Sequence, residues 1–116
     1  MSVAIYHNPR CSKSRQTFDL LTDKGIEPEV IKYLDTPPSI ASLKTVFQQL
    51  GFHHVREMMR TKEDLYKELN LKDENLTDDQ LFEAMHTNPK LIERPIVIAN
   101  GQARLGRPPE QVLEIL

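Results

Sequence analysis

A chain of 116 residues, 39% hydrophobic and 28% charged with a formal net charge of -2, can bury a core without metal or disulfide staples, so we expect one domain over 1–116. That charge balance argues against bulk nucleic-acid binding and against a membrane surface. The single cysteine excludes an internal disulfide and a cysteine-based zinc or iron–sulfur site. No basic leader followed by a long apolar run is visible, and no stretch approaches the roughly 18 apolar residues of a membrane span, so a reducing cytoplasm is the expected compartment.

In chain order, residues 2–7 read as a first strand and Asn8-Pro9 as a turn. A helix is predicted from Ser12 to about Lys24, with Phe18 and Leu21 on its apolar face and Gly25 as its left-handed stop. Pro28 to Leu34 reads as a second strand, and strand, helix and strand at this spacing suggest a parallel βαβ unit. Ser39 is a good N-cap for a helix bearing Leu43, Val46, Phe47 and Leu50 before Gly51. A second helical segment carries Val55, Met58 and Met59 as core. Asp64 to Leu69 is expected to be a short helix with Leu65 and Leu69 inward. Thr77-Asp78-Asp79-Gln80 is a capping box for a helix with Leu81, Ala84 and Met85 that stops at Asn88-Pro89. Residues 39–88 are thus an inserted helical block. Ile96 to Ala99, the type I′ signal Asn100-Gly101 and Gln102 to Leu105 predict a hairpin, and Pro108-Pro109-Glu110 opens a last helix with Val112, Leu113 and Leu116. This order supports an α/β fold: a four-stranded mixed sheet with flanking helices.

The chemistry concentrates in Tyr6-His7-Asn8-Pro9-Arg10-Cys11-Ser12-Lys13-Ser14-Arg15. A thiol on a strand-to-helix turn meets unpaired N–H groups and the positive end of the helix dipole, which favour thiolate. His7, Arg10, Lys13 and Arg15 add to that field where they face the sulfur, and Ser12 and Ser14 can donate to a thiolate or a bound oxyanion. The competing readings are Cys11 as a buried small hydrophobe, His7 paired with backbone at a strand end, and Lys13 and Arg15 as solvated helix charges. Arg60, Arg94 and Arg107 stand at element ends, and a guanidinium fork suits a tetrahedral oxyanion better than an ammonium does. Spacing leaves open whether they converge on Cys11. Arg56 and Arg104 read as solvated. Asp73-Glu74 and Asp78-Asp79 are explained by a loop and a helix start, and His53-His54 lacks further ligands, so no metal is expected.

His7-Asn8-Pro9-Arg10-Cys11-Ser12-Lys13-Ser14-Arg15, Tyr33-Leu34-Asp35-Thr36-Pro37-Pro38, Leu76-Thr77-Asp78-Asp79-Gln80-Leu81, Glu93-Arg94-Pro95-Ile96-Val97 and Arg104-Leu105-Gly106-Arg107-Pro108-Pro109-Glu110 together resemble the glutaredoxin-linked arsenate reductases, and more narrowly their compact YfgD-like branch. The resemblance spans essentially the whole chain. It implies a thioredoxin-like fold with a helical insertion and a cis Arg94-Pro95 bond. It also implies Cys11 as nucleophile, His7 and Ser14 as aids to its ionisation, and Arg60, Arg94 and Arg107 as the oxyanion site. Arsenate is the implied substrate, glutathione the co-substrate and glutaredoxin the protein partner, with no bound cofactor. Many members carry a second, non-catalytic cysteine where this chain has Gly106, a change expected to leave the chemistry untouched. The loop Arg10-Cys11-Ser12-Lys13 replaces the smaller, less charged neighbours of the best-known members and bears on substrate preference. Related polymerase-binding regulators carry Cys-x-x-Cys here. With Ser14 in the fourth position, an internal redox switch is excluded.

The reading is an arsenate reductase. A monothiol oxidoreductase acting on glutathione mixed disulfides and a non-catalytic protein-interaction module of the same fold are the alternatives.

Overall fold

The computed structural model describes residues 2–116. Four strands, β1 (Val3–Tyr6), β2 (Glu29–Ile31), β3 (Ile96–Ala99) and β4 (Gln102–Leu105), form one sheet in the order β2-β1-β3-β4. β1 runs parallel to β2 and antiparallel to β3, and β3 pairs antiparallel with β4. The sheet is mixed, as the element order suggested, and the fold is thioredoxin-like.

Strand alternation sorts the core into two layers. Val3, Ile5, Val97 and Ala99 face helix α1 (Ser12–Asp23) and the C-terminal 3-10 helix Pro109–Ile115, joining Leu21, Val112 and Ile115. Tyr6, Ile96 and Ala103 face the other way, toward α2 (Ile40–Leu50) and α4 (Asp78–Thr87), with Leu43, Val46, Leu81 and Met85. Leu21 is fully buried, and truncating such a leucine to alanine costs about 2–5 kcal/mol.

The local signals act as their chemistry requires. Ser39 Oγ accepts from Ser42 N–H at 3.1 Å, Thr77 and Gln80 close a reciprocal capping box, and α2 ends on Gly51 at φ 73°. Asn100 and Gly101 take φ 55° and 75°, the left-handed pair a type I′ hairpin needs. Arg94-Pro95 is cis, as the resemblance implied, and so is Arg107-Pro108.

Several expectations need correction. β2 is shorter than 28–34, because Tyr33 N–H turns back to Ile31 O and Asp35 N–H to Lys32 O, ending the ladder and leaving Leu34 40% exposed. The segment around Val55 is a single 3-10 turn, Val55–Met58, although Val55, Met58 and Met59 are buried as expected. In α3 (Asp64–Glu68) the buried residue is Tyr66, and Leu69 lies past the helix, 44% exposed. The last helix winds with period three, so Pro109, Val112 and Ile115 point inward and Leu113 does not. Arg56 and Arg104 are not free solvated charges. Arg56 donates to Leu71 O and Asp73 O, tying two loops together, and Arg104 pairs with Glu114 at 2.9 Å. His54 caps its own turn by accepting from Arg56 N–H, while Glu57 takes the His53 and His54 N–H groups.

Candidate active site

Topology gathers the site at one end of the sheet. In the β1–β3 register Tyr6 lies opposite Ile96, so the chain leaves β1 toward Cys11 where it enters β3 from Arg94. Leu105 of β4 also lies opposite Ile96, which sends Gly106 and Arg107 out at that end, and β2 exits there toward Tyr33. Two further ties complete the arrangement. Gly106 N–H donates to Pro95 O at 3.0 Å, and an isolated antiparallel bridge, Met59 with Ile92, carries Arg60 N–H to Leu91 O and Glu93 N–H to Met58 O. Five separated segments thus meet.

Cys11 is the N-cap of α1, with extended backbone (φ -95°, ψ 124°) and partial exposure. The first turn of α1 carries no acidic residue to compete for the positive helix end. Burial is the largest influence on the thiol and pushes its pKa up. It is outweighed in combination by the Ser14 N–H, the Arg94 guanidinium, the Lys13 N–H and the Arg107 guanidinium, so the pKa lies below that of an ordinary thiol. The buried-hydrophobe reading of Cys11 does not fit this setting.

His7 meets the sulfur's neighbourhood through Ser14. Its Nδ1 shares a 2.7 Å hydrogen bond with Ser14 Oγ, which also accepts the Asn8 N–H at 3.0 Å, and its ring stacks on Phe18 at 5.2 Å. Burial, and then the Arg15 guanidinium, lower the His7 pKa, with Asp19 opposing them. A neutral imidazole that donates from Nδ1 leaves the hydroxyl hydrogen of the fully buried Ser14 available to a further acceptor. Arg10, Ser12 and Lys13 are exposed, and Arg15 donates to Pro9 O at 2.9 Å, bracing the loop.

The three arginines differ sharply. Arg60 Nη1 lies 2.7 Å from Glu63 Oε2, and its Nε lies 4.0 Å from Glu93 Oε1. Arg107 Nε donates to Arg94 O at 2.8 Å and stands 3.6 Å from Glu93 Oε1. Arg94 is the exception: its Nε and Nη1 are buried and have no hydrogen-bond partner. Leaving a buried donor unpaired costs about 1–3 kcal/mol, more when it is charged, so these atoms await an acceptor. A cleft of about 410 Å³ is lined by Arg60, Thr61, Lys62, Glu63, Asp64, Glu93 and Arg107, with Arg94 and Cys11 outside its lining.

Two groups escaped the sequence reading. Tyr33 looked like a strand residue, yet it is fully buried and stacked on Tyr6 at 5.9 Å, and its hydroxyl senses Arg94, Cys11, Arg60 and Glu93. Burial pushes its pKa up to about 12, so it is a protonated hydrogen-bond donor. Glu93 precedes the cis Arg94-Pro95 pair, and its place in Glu93-Arg94-Pro95-Ile96-Val97 was the signal available for it. Among the described residues no cluster of His, Cys, Asp and Glu could hold a metal, and no helix is long and apolar enough to cross a membrane.

A family model described as the ArsC family matches residues 6–115. Over 114 residues the chain is 62% identical to uncharacterized protein YfgD of Escherichia coli K12, covering 98% of this chain and 96% of that one. It is 54% identical to an arsenate reductase of Neisseria meningitidis, covering 98% and 97%. The solved structure of an arsenate reductase from Vibrio cholerae superposes with a TM-score of 0.99 at 69% identity, covering 100% of this chain and 98% of that one.

Proposed function

The chain belongs to the ArsC family, and from that premise we propose that it is an arsenate reductase in which Cys11 is the nucleophile and glutathione and glutaredoxin supply the electrons. The observation that carries the reading is the buried, unpartnered Nε and Nη1 of Arg94 beside a thiol of lowered pKa. Relatives named as arsenate reductases over nearly the whole chain support the choice of oxyanion.

Arg94 binds the dianion as a fork, and Arg60 and Arg107 close around it. The Cys11 thiolate forms a bond to arsenic while one oxygen, taking up a proton, leaves as water. The guanidinium groups offset the negative charge that gathers as two anions meet. Glutathione thiolate then bonds to Cys11 Sγ, and the S–As pair stays on arsenic, which falls from As(V) to As(III) and departs as arsenite. Cys11 is left as a mixed disulfide with glutathione. With one cysteine in the chain, an external thiol must resolve it, and glutaredoxin does so. His7 acts as a positioning residue through Ser14, and the thiol chemistry suits a reducing cytoplasm.

A monothiol oxidoreductase working on mixed disulfides could pair Arg94 with a glutathione carboxylate but has no need of three guanidinium groups, and an interaction module gives no use to the lowered thiol pKa. The test is arsenite formation from arsenate with glutathione, with and without glutaredoxin. The unaltered chain turns over and is accelerated by glutaredoxin, and Cys11→Ser folds but produces none. Glutathione-dependent arsenite from Cys11→Ser would refute the mechanism.

A further inference from the structure

Glu93 is placed to oppose anion binding as much as to assist it. Its Oε1 accepts weakly from Arg94 N–H at 3.4 Å and stands 3.6 Å from Arg107 Nε and 4.0 Å from Arg60 Nε. Its Oε2 accepts no hydrogen bond from any described residue, and the side chain is 23% exposed at the wall of the cleft. Together with Glu63 it offsets two of the three guanidinium charges. A site meant only to collect anions would have no use for a fixed carboxylate with an open acceptor.

We propose that Glu93 is a specificity-determining residue which admits tetrahedral oxyanions bearing a proton and rejects those without one. This rests on the oxyanion-reductase reading above. Arsenate at neutral pH retains an O–H, which can donate to the unused Glu93 oxygen while its other oxygens face Arg94. Sulfate has no proton to give, so it meets the carboxylate with bare oxygens and like charge. Specificity then comes from a repulsive element as well as an attractive one, and a hydrogen-bonding site rejects the analogue lacking the hydrogen far better than an apolar wall does. Phosphate also bears a proton and passes this filter, so it competes with arsenate for binding without being reduced.

The experiment titrates protection of Cys11 from iodoacetamide by arsenate, phosphate and sulfate at constant pH and ionic strength, in the unaltered chain and in Glu93→Gln. In the unaltered chain arsenate and phosphate protect and sulfate is much weaker. In Glu93→Gln the ratio of sulfate to arsenate dissociation constants falls by about 10- to 150-fold, the size of one charge-assisted hydrogen bond. If Glu93 only tempers the positive charge, every anion tightens equally, and an unchanged ratio overturns the proposal. Sulfate protecting the unaltered chain as well as phosphate does also overturns it, whether or not the variant folds. Protection by none of the anions overturns the oxyanion reading together with this one, whereas the earlier outcomes leave arsenite formation intact.

Discussion

Exchanging Arg94 for Lys isolates the geometry of the guanidinium from its charge. The orphaned Nε and Nη1 of Arg94 lie on different edges of one planar guanidinium, and either of them can donate together with Nη2 to two oxygens of a single anion. Lysine keeps the positive charge but presents one nitrogen on a flexible stem, so at least one charge-assisted hydrogen bond is lost. At about 1.5–3 kcal/mol for such a bond, arsenate should bind about 10- to 150-fold more weakly. Because the charge beside Cys11 is retained, the thiol should remain more acidic than an ordinary cysteine. Protection of Cys11 from alkylation by arsenate reads the first effect, and the pH dependence of alkylation without arsenate reads the second. Arg94→Met should weaken binding further and raise the thiol pKa, yet leave the urea midpoint unchanged or higher, since two buried donors without partners are removed. An Arg94→Lys variant that binds arsenate as well as the unaltered chain would refute the reasoning, because the orphaned atoms would then have no ligand.

The lowered Cys11 pKa means that alkylation reaches half its maximal rate at lower pH than for a free cysteine at about 8.5. The same shift adds stability that is complete above the unfolded-state pKa and lost as pH falls through the folded one; Cys11→Ser should lack this dependence in denaturation measured across that range. For His7 the folded pKa is also lowered, but protonation now adds charge: between that pKa and about 6.5 the unfolded chain binds more protons, so stability falls on acidification. His7→Asn should show a flatter profile over the same window, and an unchanged profile would free His7 of this role. Gly106→Ala places a Cβ 2.7 Å from Pro95 Cγ and against Thr17 Oγ1. Overpacking of this kind costs about 1–3 kcal/mol, and because Arg107 is next in the chain, arsenate affinity should drop as well. Thermal melts and the protection titration check both, and Thr17→Ala should recover part of the lost stability.

Much of the fold was legible because its signals are local. Cys11 at a strand-to-helix turn, Ser39 and Thr77 as caps and Asn100-Gly101 as a hairpin each depend on a few adjacent residues. Leu69 and Leu113 were misplaced for an equally physical reason: a 3.6-residue period was extended past the end of one helix and imposed on a 3-10 winding. Convergence of Arg60, Arg94 and Arg107 was not legible from spacing, since it follows from the β2-β1-β3-β4 order and the Met59–Ile92 bridge, both long-range pairings. Their inequality was hidden further still. Arg60 has Glu63 three residues on, but the approach of Glu93 to both Arg60 and Arg107, and the lack of a partner for Arg94, follow only once the chain is folded. Glycine at position 106 is expected from the sequence to leave the chemistry untouched, and only the fold shows that a Cβ there would meet Thr17 and Pro95 in this chain.

The brevity of β2 bears on how this sheet behaves among other chains. As an outer strand it exposes a row of backbone donors and acceptors on which a foreign strand could grow. That row is only Glu29–Ile31, bounded by Pro28, which has no N–H to offer, and by the turn that begins at Lys32. Exposed Val30 and Leu34 would make a longer edge adhesive. Three residues between a proline and a turn give an invading strand too little ladder to hold, so resistance to cross-chain aggregation is built into the same early turn that brings Tyr33 to Cys11 and Arg94.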